Sequence, residues 1–180
     1  KGESTPSVDA LAMKIAAICQ GAVVLFAGVK LAASPLQEAV RAHRVANEQA
    51  LMAEYREFVA LPNVGADQSN IRRNAEFLAG MMRRRGINAE LLEGRTPATN
   101  PAVFGEVRVP GATRTVVFYA HYDGQPVNPR EWADGLDPWN PVFLTAPIAR
   151  GGKIITTWRP GDPIDPNWRL NGRASADDKA

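Results

Sequence analysis

The chain has 180 residues, 45% of them hydrophobic and 22% charged, and its 21 Lys and Arg against 19 Asp and Glu leave a formal charge of +2. That length suits one globular domain, the apolar fraction excludes disordered, collagen-like and membrane-bundle chains, and the near-neutral charge argues against a dedicated nucleic-acid binder. Cys19 is the single cysteine, so no intrachain disulfide forms and cysteine-rich zinc sites are excluded.

Met13-Lys14 is followed by an uncharged stretch over residues 15–29, then Lys30 and the small residues Ala32, Ala33 and Ser34. A basic start, an apolar middle and small residues at a cleavage point are the layout of a secretory signal. Residues 1–33 are therefore expected to be an upstream segment plus a signal peptide running from Met13 to about Ala33, which predicts a secreted or periplasmic product. As a helix the apolar stretch spans about 22 Å, short of the roughly 30 Å hydrocarbon core, so no stable membrane span is expected. A buried helix would read the same way, and a membrane-surface helix is a further alternative resting on this stretch alone.

Ser34-Pro35-Leu36-Gln37 combines an N-cap serine, proline at the first helical position and glutamine at N3. A helix is predicted from there to Pro62, with Leu36, Val40, Leu51, Tyr55 and Phe58 on one face. His43 and Asn47 interrupt that stripe, and His43 has no second ligand type at matching spacing. A second helix is predicted over residues 67–85, its stripe made by Ile71, Ala75, Leu78 and Met82 and its end set by Gly86. Met81 and Met82 read as core. Arg72, Arg73, Arg83, Arg84 and Arg85 read as a solvated face, since no aromatic residues interleave as a nucleic-acid surface would need.

Beyond Gly86 the pattern becomes extended, with strands predicted over residues 88–92, 102–109 and 114–120. The last, nearly all apolar or β-branched, is expected to be a central strand covered on both faces. The order helix, helix, strand, strand, strand predicts an α/β fold with a mixed central sheet and flanking helices. Eleven of the 14 prolines and all four tryptophans lie beyond residue 96, so the second half is loop-rich and the place to look for function.

His121-Tyr122-Asp123 follows directly on the predicted central strand, at a sheet end where ligands bind in open α/β folds. Residues 121 and 123 point to one side of an extended chain. A neutral imidazole is a good zinc ligand, commonly held by a carboxylate on its other ring nitrogen. A hydrogen-bonded loop histidine is the plainer alternative. Farther on, Asn171-Gly172-Arg173-Ala174-Ser175-Ala176-Asp177-Asp178-Lys179 sets small residues around adjacent carboxylates. An aspartate in such a turn can bridge two metals, and it can equally cap a helix N-terminus, with Ser175 or Asp177 as the cap.

Taken together, His121-Tyr122-Asp123-Gly124-Gln125-Pro126, the block from Trp132 to Phe143, and Arg169-Leu170-Asn171-Gly172-Arg173 running into Asp177-Asp178-Lys179 resemble the dinuclear zinc metallopeptidases of metallopeptidase family twenty. That family includes carnosinase-like dipeptidases, carboxypeptidase G-type enzymes and amino-acid deacylases. The resemblance covers residues 35–180, and Gln125-Pro126 leans towards the carnosinase-like branch. It implies a zinc-peptidase catalytic domain with two zinc ions per complete site. By position, His121 is implied as a metal ligand, Asp123 as the catalytic carboxylate that orients it, and Asp177 as the bridging metal ligand. Asp178 and Lys179 match the motif without an implied role.

Ala174 and Ala180 stand where many members have glycine, and the interval of 56 residues from His121 to Asp177 is long for the family. The surplus is assigned to strand-like segments at residues 144–149 and 153–158, turned by Gly151-Gly152. The family's adjacent glutamates, further carboxylate, carboxy-terminal histidine and lid domain, through which a homodimer would form, have no counterpart in this sequence. Residues 34–180 are accordingly expected to be the amino-terminal part of a catalytic domain, inactive and weakly zinc-binding by themselves. The implied activity of the whole is cleavage of dipeptides or short peptides by metal-activated water. The alternatives are an N-acyl amino acid deacylase on the same scaffold and a non-catalytic secreted binding protein of the same fold.

Overall fold

In the computed structural model, residues 34–96 and 98–179 are described, so Cys19 and the expected signal peptide lie outside the described residues. Helix α1 spans Pro35–Ala60 and α2 spans Gln68–Arg84, followed by strands β1 (Asn88–Leu92), β2 (Ala102–Glu106), β3 (Val142–Leu144) and β4 (Arg169–Asn171). The chain divides into two compact units, Lys1–Ala46 and Asn47–Ala180, with the boundary inside α1.

In the first unit, α1 begins with the capping box that the sequence predicts. The Gln37 amide donates to Ser34 Oγ at 3.3 Å and the Ser34 amide donates to Gln37 Oε1 at 2.9 Å, so two backbone donors are satisfied reciprocally. Leu36, Val40 and Val45 of this unit are exposed; the rest of the predicted apolar stripe belongs to the second unit, where Leu51 and Tyr55 are half-buried and Phe58 lies in the core beside Val59.

The second unit is built on α2 and the ends of its neighbours. Asp67 caps α2 by accepting from the Asn70 amide at 3.1 Å. Ile71, Ala75 and Ala79 are sealed on its inner face, Ala89 of β1 is buried, and Phe77 stacks on Phe58 with ring centroids 5.4 Å apart. Leu78 and Met82 are half-buried. A second apolar cluster joins Phe143 and Leu144 of β3 to Trp158, with Trp158 edge-on to Phe143 at 5.1 Å. Arg56 lies over the Trp158 ring at 4.9 Å and donates to the Pro141 carbonyl at 3.0 Å, so its cation meets an aromatic face and an acceptor where α1 leaves solvent.

Mixed α and β structure is present, but the sheet differs from the predicted one. β1 and β2 form one antiparallel pair, Asn88 opposite Glu106 and Leu92 opposite Ala102, and β3 and β4 form another, Phe143 opposite Leu170. No central mixed sheet joins the two pairs among the described residues. Residues 114–120 are not a strand, and Val116, Val117, Phe118 and Tyr119 are 73% to 93% exposed. β2 also stops at Glu106, short of the predicted 109, leaving Val107 and Val109 exposed. The physical reason is that an apolar, β-branched run encodes fitness for burial on a pleat and not the ladder partner it needs. β3 takes β4 on one side and meets residues 153–155 on the other through Thr145 N to Lys153 O and Ile155 N to Phe143 O. The expected pairing around Gly151-Gly152 is thus present in shortened form, as an antiparallel bridge between Leu144 and Ile154, with a 3₁₀ turn at Ile148–Arg150 closed by Gly151 at φ 78° between the two segments.

Candidate metal centre

His121 is set by the connection between α1 and α2. In that connection Asn63 is fully buried, its carbonyl accepts from the Gly124 amide at 2.6 Å, and its Nδ2 donates to the Tyr122 carbonyl at 3.1 Å. Gly65 donates in turn to the Gly124 carbonyl at 2.9 Å, which forms a parallel bridge between Val64 and Gly124. A side chain at Gly124 would press on the Asn63 amide, with 3.0 Å from its Cβ to Nδ2, so glycine allows this close approach. Tyr122 points the other way and hydrogen-bonds the Pro101 carbonyl.

Asp177 arrives from the far end of the chain on the turn that follows β4. Arg173 donates its amide to Pro138 O at 2.8 Å, Tyr55 of α1 donates its hydroxyl to Ser175 O at 3.1 Å, and Lys179 donates Nζ to Leu61 O at 2.8 Å. Residues 172–179 form a series of turns, and no helix starts at Ser175 or Asp177 among the described residues.

These two segments meet. His121 Nε2 is 3.1 Å from Asp177 Oδ1 and 3.9 Å from Asp178 Oδ2. The three side chains form a group that can hold a metal ion, with one ligand atom from each inside 4.8 Å of the others. Two ligands each about 2.0–2.1 Å from a tetrahedral zinc stand about 3.3 Å apart, so the His121–Asp177 separation fits one ion. Asp178 stands wider and would need a side-chain rotation to join them. The motif includes Asp178 without implying a role for it, and its place in the group comes from the structure.

Nδ1 of His121 lies 2.8 Å from the Asp123 carbonyl and 3.4 Å from the Asp123 carboxylate. A carbonyl oxygen only accepts, so Nδ1 carries the proton and Nε2 is the nitrogen presented to Asp177 and Asp178. Asp123 thus orients the ring mainly through its backbone, where the sequence suggested its carboxylate. That hydrogen bond, with the nearby carboxylates of Asp177 and Asp178, raises the His121 pKa above its ordinary value. The other Asp177 oxygen faces Arg173 Nη1 at 3.7 Å.

Lys179 is 5% exposed, and burial pushes its ammonium down to about 7; its Nζ donates to the Leu61 carbonyl and lies 4.5 Å from the Phe58 ring centroid. An open cleft of about 460 Å³ flanks His121, with Leu78, Met82, Val103, Phe118 and Tyr122 among its walls. His43 lies on exposed α1, outside the metal group. No helix among the described residues is long and apolar enough to cross a membrane. Comparison with protein-family models, curated proteins and solved structures finds no match for this chain.

Proposed function

We propose that this chain forms the amino-terminal part of a zinc-dependent hydrolase that cleaves the amide bond of dipeptides or short peptides. The observation that carries the reading is the approach of His121 Nε2 to Asp177 Oδ1 at 3.1 Å, between groups 56 residues apart in sequence. When bound, zinc would polarise an amide carbonyl and lower the pKa of water towards about 7. The chain's own residues perform the holding. Asp123 keeps the Nδ1 proton of His121 and so leaves Nε2 free as a donor, while Asp177 supplies a carboxylate oxygen opposite it. Asp178 adds a second carboxylate at the rim, and the apolar cleft beside His121 gives a substrate side chain a place to lie. Further donors and a general base complete the site in the whole enzyme.

Zinc titration of the chain by calorimetry tests the ligand assignment. His121→Ala and Asp177→Asn should each weaken binding at least about tenfold, a loss already seen for groups one shell farther from a metal. Affinity should also fall as the pH drops through the raised His121 pKa, because the metal must displace the proton on Nε2. Unchanged affinity in both variants would remove the site. Hydrolysis of dipeptides and of N-acyl amino acids by the complete protein, with and without chelator, tests the reaction, and hydrolysis indifferent to chelator would overturn it.

A further inference from the structure

The two segments that carry the metal group touch directly only where His121 faces Asp177 at 3.1 Å and where Arg173 Nη2 donates a long hydrogen bond to the Gln125 carbonyl at 3.4 Å, at partly exposed positions. They are docked on one short piece of backbone, the connection from Leu61 to Gly65. On one side of it Asn63 and Gly65 fix Tyr122 and Gly124, the neighbours of His121 and Asp123. On the other, the Leu61 carbonyl takes the ammonium of Lys179, two residues past Asp177, at 2.8 Å. Lys179 is 5% exposed, its ammonium rests 4.5 Å from the centroid of the Phe58 ring, and its own carboxylate neighbours Asp177 and Asp178 stay partly in solvent. Lysine is almost never fully buried without a carboxylate partner, so burying this one against a carbonyl and a ring costs desolvation that the surrounding contacts must offset. What the arrangement achieves is geometric: the end of the acidic turn is tied to the same backbone that positions the histidine loop.

We propose that Lys179 is a positioning residue for the metal group, its ammonium pinning the Asp177 turn to the Leu61 carbonyl and thereby setting the distance between Asp177 and His121. The proposal rests on the metal reading above. A neutral isostere keeps the apolar stem and loses the donor, so Asp177 should drift relative to a histidine that stays anchored through Asn63. Preorganisation of this kind is felt in ligand affinity more than in stability, because misplacement of a ligand by about an ångström leaves the core packed while the site loosens.

The test uses cobalt(II) as the probe, with the full chain as wild type, Lys179→Met, Lys179→Arg and the core control Ile71→Val. Lys179→Met should weaken cobalt binding about tenfold and shift the visible d–d band, Lys179→Arg should recover part of both, and Ile71→Val should lower urea stability without moving either. Wild-type affinity and spectrum in Lys179→Met would overturn the proposal, as would an equal loss in Ile71→Val. A wild type that takes up no cobalt would sink the metal reading separately. Positioning would then be read from backbone amide resonances, where Lys179→Met should shift those of Asp177 and Asp178 and Ile71→Val should not. Unmoved resonances in Lys179→Met would overturn it.

Discussion

Glu54 receives both Arg84 and Arg85, the first at 2.7 Å and the second through a short bidentate contact, so a single carboxylate of α1 ties down the last turn of α2. The Arg85 hydrogen bond, followed by that of Arg84, holds the Glu54 carboxyl below its ordinary value. Both arginines are about half exposed, which limits the pair to about 0.5–1 kcal/mol. A carboxylate whose folded pKa is depressed stabilises fully above its unfolded pKa of 4.5 and loses that contribution as pH falls through the lower folded value. Glu54→Gln should therefore cost about 0.5–1 kcal/mol at pH 7, and the gap from wild type should close on acidification below pH 4.5, as measured by urea unfolding across that range. At the same scale, the three arginines ending α2 were legible as surface. Arg83 differs from its neighbours in donating to the Ala89 carbonyl of β1, a partner that lies beyond the helix and outside its periodicity.

At the scale of elements, the helices follow from local chemistry and the short strands do not. α1 starts at Ser34-Pro35 and ends before Pro62 because capping and proline act within a few residues. β3, by contrast, has three residues and exists because Phe143 is clamped among Trp158, Trp168 and Arg56, which come from distant parts of the chain. Phe143→Ala should accordingly cost about 3–5 kcal/mol and loosen β3, β4 and residues 153–155 together. Hydrogen exchange should show protection lost in all three segments while α2 keeps its own. Loss confined to β3 would mean that the cluster does not act as one unit.

At the scale of the molecule, the exposed run from Val116 to Tyr119 is the feature out of keeping with a buried core. Four adjacent apolar residues whose backbone groups pair with no strand among the described residues make a template for strand pairing. Val117→Asp with Phe118→Lys should reduce concentration-dependent association in light scattering and leave the far-ultraviolet circular dichroism unchanged. Equal association in the variant would place the sticky surface elsewhere. The sequence by itself determined the two helices with the Ser34 start of the first and the Gly86 end of the second, the strand at residues 88–92 and the first part of the one expected over 102–109, and the residue types that could ligate a metal, since each depends on neighbours a few positions away. Only the tertiary structure decided that His121, Asp177 and Asp178 face one another, that Asn63 and Lys179 hold their segments on one stretch of backbone, and that residues 114–120 stand outside any sheet. The reason is that periodicity and capping are short-range, while the choice of ladder partner and the meeting of groups 56 residues apart depend on which surfaces remain to be buried once the local elements exist.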